Sequence, residues 1–129
     1  MFSYYKADDG REQPIEYLPA SAIAVKAGEL LVMTSGKLAK CGATAAPTYL
    51  CMHTSEGTLA AGDIIPVCRI TKDLIYKTSN SASFASIAVG AKVTISADAM
   101  QVTATTSDGV AEVVGFDGTA VGSDVYVRF

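Results

Sequence analysis

Two residue types that serve many active sites are scarce in this sequence. It contains no tryptophan and a single histidine, His53, in 129 residues. That histidine would have to serve any Ser-His or Cys-His pair, and no Gly-x-Ser-x-Gly segment supplies a nucleophile on a sharp turn. A lone histidine beside Thr54 and Ser55 is more typical of an exposed strand end. We therefore expect a protein without enzymatic activity and without a cofactor.

Long apolar runs and clusters of positive charge are missing as well. The longest apolar runs, Leu30-Leu-Val-Met33 and Ile64-Ile-Pro-Val-Cys68, end after a handful of residues, whereas a membrane-spanning helix needs roughly 20. The 10 basic residues are dispersed and outnumbered by 13 acidic ones, which gives a formal net charge of −3. A nucleic-acid surface requires clustered positive charge. The sequence therefore predicts no membrane partner and no nucleic-acid partner.

The three cysteines are an odd number and include no Cys-x-x-Cys pair. A disulfide framework is therefore not expected, and a reducing cytoplasm is the expected site of synthesis and assembly. Cys41, Cys51 and Cys68 could join His53 as zinc ligands, but structural zinc sites usually carry two closely spaced cysteines. We expect buried cysteines that pack as small apolar residues, and no metal site.

The sequence does contain a repeated phrase, in which a glycine is followed by a β-branched or aliphatic run. It occurs at Gly28, Gly62, Gly90 and Gly122. Glycine at a turn adopts backbone angles that other residues reach only at a cost, and the run behind it is typical of a strand. The phrase lacks the Gly-Lys-Ser/Thr of a phosphate-binding loop. We interpret it as a turn that opens a strand.

These phrases and their flanking segments divide the chain into two similar halves, at about residues 15–70 and 74–129. Ile15-Glu-Tyr17 aligns with Leu74-Ile-Tyr76, and Cys68 aligns with Val127. Each half offers about four short strands, and neither could bury an apolar face alone. The sequence predicts one all-β domain over residues 15–129, a small β-barrel, β-tulip-like or sandwich fold of two pseudo-repeated halves. Pro66, inside an apolar run, predicts an edge strand or a bulge.

Residues 1–14 differ from the rest of the chain. Three aromatic residues stand among charged ones, and Gly10 and Pro14 interrupt any regular element. Tyrosine and arginine are enriched at the energetically important positions of protein interfaces. We predict an extended N-terminal arm over residues 1–14 that docks on a partner. The residues predicted to bind that partner are Phe2, Tyr4, Tyr5 and Arg11.

Three features together resemble the decoration, or cement, proteins of tailed-bacteriophage heads. They are the aromatic arm, the unit Val-Lys-Ala-Gly-Glu-Leu-Leu-Val-Met-Thr-Ser-Gly-Lys-Leu at 25–38, and the segments Glu112-Val-Val-Gly-Phe116 and Gly-Ser-Asp-Val-Tyr-Val-Arg-Phe at 122–129. The resemblance implies a homotrimer on the outer surface of an expanded capsid, in the virion. It implies a mechanical role, in which the protein bridges major capsid protein subunits and resists internal DNA pressure.

The residues leave another class open, a non-catalytic β-barrel binding module such as a carbohydrate-binding or fibre-base domain. A carbohydrate site usually presents flat aromatic rings at the surface. Three tyrosines aligned on one face of a sheet would favour this alternative.

Overall fold

The computed structural model describes residues 1–129 and contains ten strands and no helix. The strands are β1 (Ser3–Ala7), β2 (Ile15–Pro19), β3 (Leu30–Thr34), β4 (Lys37–Lys40), β5 (Tyr49–Cys51), β6 (Ile64–Arg69), β7 (Leu74–Ser79), β8 (Lys92–Val93), β9 (Ala111–Phe116) and β10 (Asp124–Arg128). The chain has no helix that is long and apolar enough to cross a bilayer. The all-β prediction is confirmed.

The two antiparallel sheets correspond to the two halves of the sequence. The first has the order β2-β6-β5-β3-β4, and the second has the order β1-β7-β10-β9-β8. Four strands of each half occur in the same order along the chain and in the same order across their sheet. The prediction of two pseudo-repeated halves is therefore confirmed.

The four glycine phrases form the same turn. Gly28, Gly62, Gly90 and Gly122 have φ angles of 86°, 96°, 92° and 88°. In each case the residue after the glycine donates its N–H to the carbonyl oxygen two residues before the glycine, at distances of 3.0 or 3.1 Å. The residue before each glycine does not have a positive φ. A positive φ at the third residue alone identifies the type II turn, which favours glycine there.

An acidic residue completes two of these turns. Glu29 Oε2 accepts a hydrogen bond from the backbone N of Lys26 at 3.3 Å, and Asp63 Oδ2 accepts one from the backbone N of Ala60 at 2.9 Å. Each carboxylate thus satisfies a backbone donor at the start of its turn. The Ala-Gly-Glu and Ala-Gly-Asp phrases are explained by turn chemistry.

The structure corrects the register of the repeat by one residue in β2 and β6. The β2–β6 and β7–β10 pairings have the same register when each residue is matched with the residue 60 positions later. Tyr17 thus corresponds to Lys77, one residue beyond the predicted match. Val67, and not Cys68, corresponds to Val127. A slip of one residue moves side chains to the opposite face of a strand, so this correction changes which faces of the two halves are equivalent.

Two apolar cores meet at the first sheet. Alternate residues of its strands face opposite sides, so that Leu31 lies in one core and Leu30 in the other. The smaller core lies within the first half and contains Ala20, Val25, Leu31, Leu38, Tyr49, Cys51, Ile65 and Val67. The larger core fills the second half and its contact with the first sheet. Burial on both faces explains why these strands are continuously apolar in sequence.

Pro66 lies in β6, an interior strand without a register shift, so the prediction of an edge strand or bulge is wrong. The neighbouring strand β5 has only three residues and ends at Cys51. Just beyond it, Met52 donates its backbone N–H to Pro66 O at 3.1 Å. The N–H that proline lacks would therefore face a position outside the β5 ladder, which makes the proline tolerable there.

The N-terminal segment is extended, but its first part belongs to the domain. Ser3–Ala7 form β1, which pairs antiparallel with β7 at the edge of the second sheet. Residues 8–14 connect this strand to β2 of the first sheet. Pairing satisfies the backbone groups of β7 that an open edge would leave exposed. The division between an arm at 1–14 and a domain at 15–129 is thus not a structural boundary.

Candidate docking surfaces

Phe2 was predicted to bind a partner, but it lies in the core. Its side chain is 1% exposed, and its ring packs edge-on at 5.7 Å from the ring of Phe129. Its backbone N–H donates to Gly28 O at 2.9 Å. Gly28 leaves room for this contact, because a Cβ there would lie 2.7 Å from Met1 Cβ and 2.8 Å from Phe2 O. Phe2 therefore anchors β1 and is not available to a partner in this conformation.

Tyr5 lies at the bulge of β1 and is half exposed. Its ring packs against Tyr126 at 4.7 Å with an interplanar angle of 56°. The two rings border a shallow hollow of about 200 Å³, together with Lys6, Ile75, Val114 and Gly115. Two tilted tyrosines do not make the flat platform of three that would favour a carbohydrate-binding module.

Tyr4 and Arg11 lie side by side. The Tyr4 hydroxyl donates to Arg11 O at 2.7 Å. The Arg11 guanidinium pairs with Asp9 and, at 3.3 Å, with Asp73, while its side chain stays 73% exposed. A hydrogen bond from Thr71 and the nearby Arg11 lower the pKa of Asp73. The structure thus brings Tyr4 of β1 and Arg11 of the following connection together at an exposed site.

A cleft of about 600 Å³ lies between the halves near Glu29. Glu29 is 2% exposed, and its Oε1 lies 3.5 Å from the Lys40 ammonium group. Burial raises the pKa of this carboxyl group, and Lys40 opposes the rise. Acidic and basic residues both line the cleft, among them Lys26, Glu56 and Asp98. The Glu29–Lys40 pair lies within the first half, and beside it the backbone N–H of Leu30 donates to Ala99 O of the second half at 3.0 Å.

The cysteines and His53 do not converge. All three cysteines are buried and free. Burial raises the pKa of the Cys41 thiol to about 11 and also raises the pKa of Cys51 and Cys68. These thiols are therefore protonated and unreactive at neutral pH. No group of three or more His, Cys, Asp or Glu side chains is placed to hold a metal ion.

Sequence reasoning missed a third surface, on the outer face of β2 and β6. We call it the β2–β6 patch; its members are Ile15, Tyr17, Pro19, Met52, Ile64 and Pro66. Tyr17 lies opposite Pro66 and Pro19 lies opposite Ile64, so these side chains share one face. The exposed fractions are 68% for Tyr17, 59% for Ile64, 51% for Ile15 and 45% for Met52. None of the six side chains is charged.

Both faces of β6 are apolar in sequence, so periodicity alone could not show which face stays bare. The nearest signal was the high apolar content of Ile15-Glu-Tyr-Leu-Pro19. The second half covers only part of this face, where Cys68 and Leu50 are buried. Comparison of the chain with protein-family models, curated proteins and solved structures found no match. The candidate surfaces are therefore judged on their own geometry.

Proposed function

We propose that this chain is a non-enzymatic structural protein that binds the outer surface of a bacteriophage capsid and stabilises the head by bridging major capsid protein subunits. The proposal includes the homotrimer and the location in the virion that the sequence resemblance implies. The observation that carries it is the way in which β1 is held. Tyr4 and Tyr5 are presented at the surface by a strand that Phe2 locks into the core.

A binding surface on a locked strand loses little freedom when a partner docks. The Tyr5 ring is already packed against Tyr126, and the Tyr4 hydroxyl is already bonded to the backbone of Arg11. Ordering side chains on binding otherwise costs about 0.5–1.5 kcal/mol for each. Exposed tyrosine and arginine side chains are also the types that contribute most to interface energies. Phe2 supports this surface from within and takes no direct part in it.

The body of the protein suits a mechanical role. Strands β3, β5 and β6 each have two buried faces. One face packs in the larger core, which both halves share, and the other face packs in the smaller core of the first half. Close-packed interiors resist deformation, so a load applied to one half is passed to the other through these strands. Several such contacts in a homotrimer would convert weak single sites into tight attachment.

The proposal is tested by co-sedimentation of the purified chain with expanded capsids, after a check that its gene lies near a major capsid protein gene. We expect saturable binding, and we expect Tyr4→Ala combined with Arg11→Ala to weaken it at least about tenfold, as loss of two interface residues typically does. Val89→Ala is the matched control, because Val89 is 65% exposed on a distant turn.

Deletion of residues 1–14 is not a suitable variant, because it also removes Phe2 and the strand that covers β7. If the full chain does not bind capsids, the proposed function fails. If the full chain binds and the double variant binds equally well, the surface at Tyr4 and Arg11 is wrong and the capsid proposal stands.

A further inference from the structure

The β2–β6 patch has a counterpart in the second half, on the outer face of β7 and β10. Because the halves share one strand order and register, each patch residue of β2 and β6 corresponds to the residue 60 positions later. The same backbone thus carries two different surfaces. A comparison of the two shows which one is adapted to water.

The middle of the second-half surface is charged. Lys77 and Asp124 form a salt bridge at 2.9 Å, and these residues correspond to Tyr17 and Ile64. Both members of the charged pair are solvated at a sheet surface, which carries little energetic penalty. At the same two positions the first half has Tyr17 and Ile64, whose residues are 68% and 59% exposed.

One apolar position of the second-half surface is covered. Ile75, which corresponds to Ile15, is 3% exposed, whereas Ile15 is 51% exposed. The difference is made by β1, which pairs with β7 and places Tyr5 in one hollow with Ile75 and Tyr126. Strand β2 is the edge of its sheet. Strand β4 meets its outer side only at the C-terminal end, through the bridge between Ala20 and Leu38, and no strand pairs with the outer side of β2 at Ile15 and Tyr17.

The outer edge of β2 also has free backbone groups. Ala20 bonds toward β6, because its N–H donates to Asp63 O at 2.8 Å and its carbonyl accepts from Gly62 N at 2.8 Å. Bonding direction alternates along a strand, so the backbone groups of Ile15 and Tyr17 point away from β6. An unpaired edge beside an apolar face is a surface that proteins normally cover.

We infer that the β2–β6 patch is the surface through which copies of this chain associate with one another. A second copy fits because the patch is uncharged throughout, so that the patches of neighbouring copies can meet around a symmetry axis, including the three-fold axis of the proposed homotrimer, without an unpaired charge. At roughly 200 Å² for a large apolar side chain, the four most exposed members leave about 450 Å² bare in each copy. Covering the patch in two copies would bury about 900 Å² of apolar surface, in the size range of weak interfaces.

The inference concerns the contact between copies and does not depend on a capsid, so its test uses the purified chain alone. The assay is size-exclusion chromatography with light scattering at about 100 μM, above the micromolar range in which a small interface forms. We expect an oligomer for the wild-type chain. Tyr17→Lys combined with Ile64→Asp is expected to give a monomer, with at least a tenfold weaker association constant.

This double variant copies onto the first half the residues that the same fold carries at Lys77 and Asp124, so we expect it to fold, and circular dichroism checks that it does. The matched control is Val89→Lys combined with Val121→Asp. Both valines are 65% exposed on glycine turns, and the control therefore introduces the same charges and removes similar apolar area. A second disrupting variant, Ile15→Lys, serves if the double variant does not fold.

The inference stands if the wild-type chain and the control are oligomers and the patch variant is a monomer. A wild-type monomer at this concentration overturns it, and would leave the patch to a different protein such as the capsid. An oligomer that persists in the folded patch variants also overturns it. A wild-type monomer would also remove the homotrimer from the proposed function, while in either case the binding of capsids keeps its own test.

Discussion

The turn at Gly28 differs from the other three glycine turns in what lies beside it. All four glycines have φ angles between 86° and 96°. At Gly62 an added Cβ would meet nothing within 4 Å, whereas at Gly28 it would meet Met1 Cβ at 2.7 Å and Phe2 O at 2.8 Å. Alanine at either site therefore loses stability because of the positive φ angle. Only alanine at Gly28 also loses stability by displacing the N-terminus.

The shared cost is about 1–2 kcal/mol, the penalty for a Cβ in the left-handed region. At Gly28 the clash involves a backbone oxygen, so Phe2 has to move. That movement breaks the bond from Phe2 N to Gly28 O, worth about 1 kcal/mol. It also exposes part of the Phe2 ring, worth up to about 2 kcal/mol. We expect Gly28→Ala to lower the free energy of unfolding by about 2–3 kcal/mol more than Gly62→Ala.

Urea unfolding followed by far-UV circular dichroism measures the two free energies. Hydrogen exchange at the Phe2 amide supplies a local readout, because protection of that amide depends on its bond to Gly28 O. Equal destabilisation by the two substitutions, with Phe2 still protected in Gly28→Ala, would show that the N-terminus does not depend on close approach at Gly28. The role of Phe2 as the anchor of β1 would then be wrong.

Two further predictions concern titratable groups. Burial raises the pKa of the Glu29 carboxyl group above 4.5. The folded chain therefore binds this proton more tightly than the unfolded chain does, and the protonated form adds to the free energy of unfolding at low pH. This contribution is lost as pH rises through the raised pKa. Asp8, Asp73 and Asp98 have lowered pKa values and change stability with pH in the opposite sense, so the test compares two proteins. Urea unfolding at a series of pH values should show that the stability of the wild-type chain relative to Glu29→Gln falls as pH rises; parallel profiles would contradict it. The three buried thiols should resist a neutral-pH thiol reagent in the folded chain and react fully in urea, and rapid labelling of the native protein would contradict their burial.

Local patterns predicted the turns and the strands well. The glycine phrases at Gly28, Gly62, Gly90 and Gly122 are type II turns, because a positive φ restricts the choice of residue strongly. The cysteines are buried as expected. The predicted edge at Pro66 failed, since the length of the neighbouring strand β5 decides whether a missing N–H matters.

The candidate site was harder to predict than the fold. Aromatic residues near a terminus look alike in sequence whether they dock on a partner or on their own domain. Phe2 does the second, Tyr4 remains at the surface, and Tyr5 packs against Tyr126 while staying half exposed. The pairing of β1 with β7 joins residues more than 65 positions apart, and no local signal encodes it.

The sequence by itself determined the all-β class, the two repeated halves and the turns that open their strands, because these follow from backbone angles and from the order of apolar runs. Only the tertiary structure decided which faces are buried. Sheet register fixes the face on which each side chain lies, and β1 covers one half while leaving the other bare. Tyr17 and Lys77 occupy equivalent places in the two halves, and the difference in their surroundings is a property of the assembled fold.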